Sequence, residues 1–135
     1  VRQSEINAAV RAKIEGLAGL PPRLYENELK LTDGSRKPTG THIRVFILPV
    51  GSQDDSLGCD RWIGLIQCSV LVRDGVGTSQ AIDIADAIID SMPKGEELTS
   101  GGSTILIENN GYVGDAITAD GWHIQNVTIT YRGTK

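Results

Sequence analysis

Aromatic side chains are scarce in this chain, with one Phe, three Tyr and two Trp among 135 residues. Val, Ile and Leu must therefore fill any core. Cysteine is nearly absent too. Cys59 and Cys68 stand nine apart with no Cys-x-x-Cys pair, and they read as reduced thiols, Cys68 on a buried strand and Cys59 in a loop. His42 and His123 are isolated and no ligand spacing repeats, so neither zinc nor any other metal is expected. No run of about 18 apolar residues occurs, which excludes a helical membrane span on the sequence pattern, and no signal peptide is read. A basic excess is missing as well. The formal charge is −4, and it divides unevenly. Residues 1–40 carry seven Lys/Arg against five Asp/Glu, a net of +2, while residues 41–135 carry six against twelve, a net of −6. An acidic body argues against gripping nucleic acid through its phosphates.

What is present fits one domain over residues 1–135, large enough for a proper core. Ser4 is placed to N-cap a helix over about residues 4–18, with Ile6, Val10, Ile14 and Leu17 as its apolar stripe. Gly16, Gly19 and Pro21-Pro22 end it. Residues 23–40 are polar and extended, with a turn signal at Asp33-Gly34, and read as an arm or large loop. Thr41 to Val50 predicts a strand in which Pro49 marks an edge or a bulge, and residues 51–60 a polar loop. Residues 61–73 then alternate. Trp62, Ile66, Cys68, Val70 and Val72 share the face that should meet the helices. Ile63, Leu65, Gln67, Ser69, Leu71 and Arg73 share the other, which carries more aliphatic surface than a solvent face needs. That surplus predicts a second covering layer or a partner subunit.

Thr78 or Ser79 can cap a second helix with Ala81, Ile84, Ala85, Ile88, Ile89 and Met92 inward, ended by Pro93 and Gly95. A short strand at 104–108 and the dipeptide Asn110-Gly111 predict a tight hairpin into 112–118. Asp120-Gly121 turns again into a last strand, 122–132. There the apolar positions change from even (Trp122, Ile124) to odd (Val127, Ile129, Tyr131), which predicts a bulge near Gln125-Asn126. The order α-β-β-α-β-β-β with short links gives an α+β class: a mostly antiparallel sheet of about five strands with two helices on one face.

Few constellations carry chemistry. Asp74-Gly75-Val76-Gly77-Thr78-Ser79 joins a strand to a helix N-terminus, where free N–H groups favour anions. Gln80 stands where a third glycine of a dinucleotide turn would be, and no lysine supplies a Walker loop. An ordinary turn with an N-cap is the plainer reading. Asp83, Asp86 and Asp90 at i, i+3 and i+7 line one helix face. They read as a solvated acidic face, a contact for a basic partner, or a wall that repels DNA phosphates in a channel. Asp54, Asp55 and Asp60 do not follow calcium-loop spacing. No G-x-S-x-G elbow exists. Trp62 and Trp122 read as core or rim packing.

Several landmarks together resemble one family. These are the N-terminal helix, Leu24-Tyr25-Glu26-Asn27-Glu28-Leu29 ahead of an exposed segment, Gly64 to Val72 on a long strand, and the Asp74-Gly75-x-Gly77 turn. To them are added Ala81-x-x-Ile84-Ala85-Asp86-x-Ile88 and the ending Gly121-Trp122-His123-Ile124-Gln125-x-Val127-Thr128-Ile129-Thr130-Tyr131-Arg132. The chain is similar over almost its whole length to the tail-terminator, or tail-completion, proteins of long-tailed phages and prophages. The resemblance implies a non-catalytic virion protein without cofactors. It would form a hexameric ring on the tail tube, stop tube growth and offer a surface to the head-side connector, with DNA passing through unbound. Assembly in the bacterial cytoplasm and residence at the head-proximal end of the tail follow from it. A closed ring needs two different matching patches on each copy. The candidates for the subunit or tail interface are Ile63, Leu65 and Leu71 on the strand and Tyr25, Asn27 and Leu29 on the arm. The candidates for the lumen are Asp83, Asp86 and Asp90. Two alternatives stay open: a connector component acting on the portal side, and a small anion-binding enzyme using the 74–79 turn.

Overall fold

The computed structural model describes residues 3–17, 19–25, 40–56, 59–73, 75, 79–100, 103–119 and 121–134. In chain order these form α1 (Gln3–Glu15), β1 (Arg23–Tyr25), β2 (His42–Ser56), β3 (Cys59–Arg73) and α2 (Ser79–Ser91). Then follow β4 (Glu97–Ser100), β5 (Ser103–Ile107), β6 (Tyr112–Ala119) and β7 (Trp122–Thr134). The class is the expected α+β, with one mostly antiparallel sheet. The described residues make seven strands rather than about five, in the order β1-β2-β3-β7-β5-β4, with β6 also paired to β7. The two added strands are short. β1 lies at the start of the expected arm and runs parallel to β2, Arg23 to Tyr25 opposite Ile43 to Val45. The rest of that arm, residues 26–39, lies outside the described residues.

Both helices pack on the first face of the sheet. Ile6, Val10 and Ile14 of α1 and Ala81, Ala85, Ile88 and Met92 of α2 are buried in one cluster with Ile66, Cys68, Val70, Val127 and Ile129. The helical spacing of those residues aims them at one side, as their sequence pattern requires. α1 starts at Gln3, so Ser4 lies inside the helix rather than capping it, and the helix stops at Glu15. Its last turn tightens: the Gly16 N–H donates to the Ala12 carbonyl at 3.1 Å and the Leu17 N–H to the Ile14 carbonyl at 3.2 Å. Lys13 pairs with Glu96, which ties α1 to the lead-in of β4.

Three expectations for the sheet are corrected. Residues 51–60 are not a loop over most of their length, because the β2–β3 ladder continues to Asp54 opposite Asp60 and Ser56 opposite Cys59. Polar composition hid a strand that the backbone ladder reveals. Within it Pro49 does sit at an irregularity, with Val50 as the extra residue between the Pro49–Gly64 and Gly51–Ile63 pairs. Asn110-Gly111 is not a hairpin turn. β5 and β6 both run antiparallel to β7, β5 beside Tyr131 to Thr134 and β6 beside Trp122 to Thr128. They are thus two parts of one interrupted line. Gly111 marks the break because the chain there passes between α2 and β7: a β-carbon would lie 3.0 Å from Ile129 Cγ1 and 3.2 Å from Ile89 Cγ1.

The predicted bulge in the last strand is also misplaced. β7 pairs with β3 without a break, from Trp122 opposite Arg73 to Thr134 opposite Arg61. The irregularity is in β6, between Val113 and Ala116, opposite the Gln125–Val127 stretch. Gln125 Nε2 donates there to the Gly114 carbonyl. The change of apolar phase in β7 has another cause. Trp122 and Ile124 serve the second face of the sheet while Val127, Ile129 and Tyr131 serve the first. β6 and β7 do form a hairpin, with Gly121 at φ 80° and Ala119 opposite Trp122; Asp120 lies outside the described residues.

Candidate interaction surfaces

The second face of the sheet is best described rung by rung, since partners across strands carry side chains to the same side. At one end His42, Leu71, Ile124 and Ile117 form a row across β2, β3, β7 and β6. Next come Arg44, Ser69 and Asn126, where Ser69 Oγ donates to Asn126 Oδ1 at 2.7 Å. Phe46, Gln67, Thr128 and Tyr112 follow, then Leu48, Leu65 and Thr130, then Ile63 and Arg132. In the first row His42 and Leu71 are buried, Leu71 only 2% exposed. Phe46, Leu48, Ile63 and Leu65 are half-buried. At the β6 end the face opens, and Tyr112 and Ile117 are exposed.

The sequence candidates therefore separate. Ile63 and Leu65 lie together on the second face and reach solvent. Leu71 shares their face but is buried, so its role is packing. Tyr25 is turned into the core, 6% exposed, and is corrected from an interface candidate to a core residue. Its ring stacks under the Arg11 guanidinium, 4.2 Å from the centroid, and burial pushes its hydroxyl up to about 12. Asn27 and Leu29 lie outside the described residues. Asp83, Asp86 and Asp90 are all exposed on α2, on the side turned away from the sheet, and α2 carries no Lys or Arg. Of the 74–79 turn only Gly75, with φ 88°, and Ser79 are described. Among the described residues no three His, Cys, Asp or Glu side chains come together to hold a metal ion, and no helix is long and apolar enough to cross a membrane.

One cluster was not legible in advance. His42 is 1% exposed and meets Trp122 edge to face, ring centroids 5.0 Å apart at 89°. The Arg73 guanidinium lies 4.0 Å from the centroid of the Trp122 ring. His42 Nδ1 is 3.0 Å from the Gly40 carbonyl oxygen, which can only accept, so Nδ1 carries the proton. Nε2 is buried with no hydrogen-bond partner. Burial, then Arg44 and Arg73, hold this imidazole below the ordinary histidine range, partly offset by the Gly40 bond. The cluster closes one end of the second face. Because β2, β3 and β7 meet there only in the fold, spacing along the chain gave no sign of it.

Comparison with known proteins bears on what such surfaces serve. A family model described as phage tail terminator protein matches residues 5–131. A search of curated proteins finds no match. One solved structure is similar with a TM-score of 0.77 at 20% identity, covering 98% of this chain and 96% of the other. Another, a chain from the virion of a native gene transfer agent particle, has a TM-score of 0.65 at 15% identity, covering 98% and 95%. At those identities the likeness shows a shared fold.

Proposed function

The chain belongs to the phage tail terminator family, structural and non-enzymatic proteins of the virion, and from that premise we propose that it caps the tail tube as a ring. Six copies close on the head-proximal end of the tube, end its polymerisation and present the opposite surface to the head-side connector. The similarity in fold to a chain of a gene transfer agent virion supports a place in such a particle.

The observation that carries this reading is the second face. Its half-buried Phe46, Leu48, Ile63 and Leu65 form an apolar strip on two paired strands. Surface of that kind on a folded sheet serves a protein contact. Ile63 and Leu65 are the residues assigned to the neighbour or to the tube. Asp83, Asp86 and Asp90 are assigned to the lumen, where carboxylates repel passing phosphates and keep DNA from sticking. The protein uses no cofactor in this role, and it assembles in the host cytoplasm.

Purified tail tubes incubated with the protein test the proposal. Tubes capped by it should stop elongating at one end, with ring density there in negative stain. Leu65→Lys should fold and fail to cap. Tubes that elongate equally with and without the parent protein would refute the reading. If the protein instead bound portal complexes and ignored tubes, the connector alternative would replace it.

A further inference from the structure

One end of the second face is organised around a single histidine. His42 is the first residue of β2, and among the described residues its pairing with Leu71 is the end rung of the β2–β3 ladder. The parallel contact of β1 begins only at Ile43, opposite Arg23, so β1 gives His42 no rung. The ring is tethered through Nδ1 to the carbonyl of Gly40, a residue at which even an added β-carbon would meet nothing within 4 Å. The backbone there is free to turn. End rungs of this kind open at far lower cost than the interior of a sheet.

The ring fits that place only without charge. Its Nδ1–H is used on Gly40, and Nε2 is buried with no partner. A proton on Nε2 creates a donor that has no acceptor. It also adds a positive charge among cations, since the charged groups facing His42 among the described residues are Arg44 of β2 and Arg73 of β3. β7 brings Trp122, edge to face with the imidazole and stacked against the Arg73 guanidinium. The same row brings Leu71, Ile124 of β7 and Ile117 of β6, none of which titrates. An unpaired buried charge is among the costliest arrangements in a fold, and freeing one end rung is among the cheapest openings.

We propose that His42 is a proton-operated latch on the second face. Neutral, it holds its contact with Trp122 and fixes that end of the surface. When Nε2 takes a proton from water, the imidazolium swings out about Gly40 to be solvated, and Trp122 loses the edge contact that orders it. The rows from Arg44, Ser69 and Asn126 onward keep their pairing, so the opening is local. Mild acid thereby rearranges one end of the surface assigned to capping and disarms it. That consequence rests on the capping reading above, whereas the latch itself does not.

Trp122 is one of two tryptophans, so Trp62→Phe in the full-length protein makes it the sole fluorescent reporter. Acrylamide quenching of Trp122 should rise severalfold as pH falls, with a midpoint below about 6.5 and with far-UV circular dichroism unchanged. The imidazole NMR signals of His42, assigned by their loss in His42→Phe, should titrate with the same midpoint. In His42→Phe the quenching should stay at its neutral-pH value throughout. Arg44→Glu supplies an acid beside the ring and should raise the midpoint by about one unit or more, which a merely structural role for His42 would not do. Quenching that is flat until global unfolding, the same rise in His42→Phe, or a His42 that does not titrate before unfolding would overturn the latch. If the latch opens while capping is the same at both ends of the pH range, its link to capping is wrong and the terminator function stands. If the protein caps no tubes at any pH while these signals appear, the function is wrong and the latch stands.

Discussion

Tyr131 fills the space in front of Gly64. The two residues are opposite each other on β7 and β3, and a β-carbon at position 64 would overlap the Tyr131 hydroxyl and lie 2.7 Å from the Leu48 carbonyl oxygen. The tyrosine is fully buried, so its ring has nowhere to retreat, and the carbonyl is backbone. Gly64→Ala should therefore lose about 1–3 kcal/mol, the usual cost of overpacking. Chemical denaturation of the two proteins measures it. Adding Tyr131→Phe should recover only part of the loss, because the Leu48 carbonyl remains. Parental stability in Gly64→Ala would mean the two strands are not this close.

His42 makes stability depend on pH. Its folded-state pKa is lowered, by burial first and by Arg44 and Arg73 after it, while the unfolded chain titrates near the ordinary value. Below about pH 6.5 the unfolded state takes a proton that the native state refuses. Stability is thus fully present above that pH and declines as pH falls, by up to about 1.4 kcal/mol per unit, until the folded pKa is reached. His42→Phe removes the titrating group and keeps a ring against Trp122. Denaturation midpoints between pH 7 and pH 5 should flatten in this variant relative to the parent. Equal slopes in both would show that His42 is not held neutral.

Much of this fold could be read from residue order, and the failures have a common origin. Periodicity placed α1 and α2 and their buried faces because Ile6, Val10, Ile14, Ala81, Ala85 and Ile88 each answer to one local period. It also placed the two faces of β3. What it missed depended on partners distant in sequence. β1 and the distal β2–β3 hairpin exist through backbone pairing that polar side chains do not announce. Asn110-Gly111 carries a turn signature yet serves as a passage under α2, a role set by Ile89 and Ile129. Trp122 and Ile124 looked like a phase error, since a two-faced strand and a bulged strand write the same pattern. On the candidate surfaces, Ile63 and Leu65 were legible as surplus aliphatics, whereas the burial of Tyr25 needed the β1–β2 pairing to be known.

Cys68 should be inert until the protein opens. It is 1% exposed among Ile66, Val70 and Val127, and burial pushes its thiol up to about 12. The reactive thiolate is therefore absent at neutral pH and unreachable in the native state. Iodoacetamide labelling with peptide mass mapping should show Cys68 modified only along the global unfolding transition. Cys68→Ser, which buries a hydroxyl among apolar groups, should cost about 1–3 kcal/mol. Labelling of Cys68 well before unfolding would point to local opening of β3.

Asp90 is expected to work against the helix that carries it. It lies in the last turn of α2, where the partial negative charge of the helix end is concentrated, and Asp86 stands one turn before it. No Lys or Arg on α2 offsets either carboxylate. Asp90→Asn should raise stability by about 0.3–1 kcal/mol at low ionic strength, with less gain in high salt. Asp83→Asn, nearer the N-terminal end, should change it little. Thermal melts at two salt concentrations separate these outcomes, and a destabilised Asp90→Asn would reveal a partner for that carboxylate. The gain matters for function because a stripe that lowers stability is retained for another reason. In the lumen reading that reason is DNA passage. The Asp83, Asp86 and Asp90 triple Asn variant should then melt no lower than the parent and still cap tubes, yet yield particles that deliver DNA more slowly. Parental delivery rates from those particles would remove the lumen assignment while leaving the fold and the cap intact.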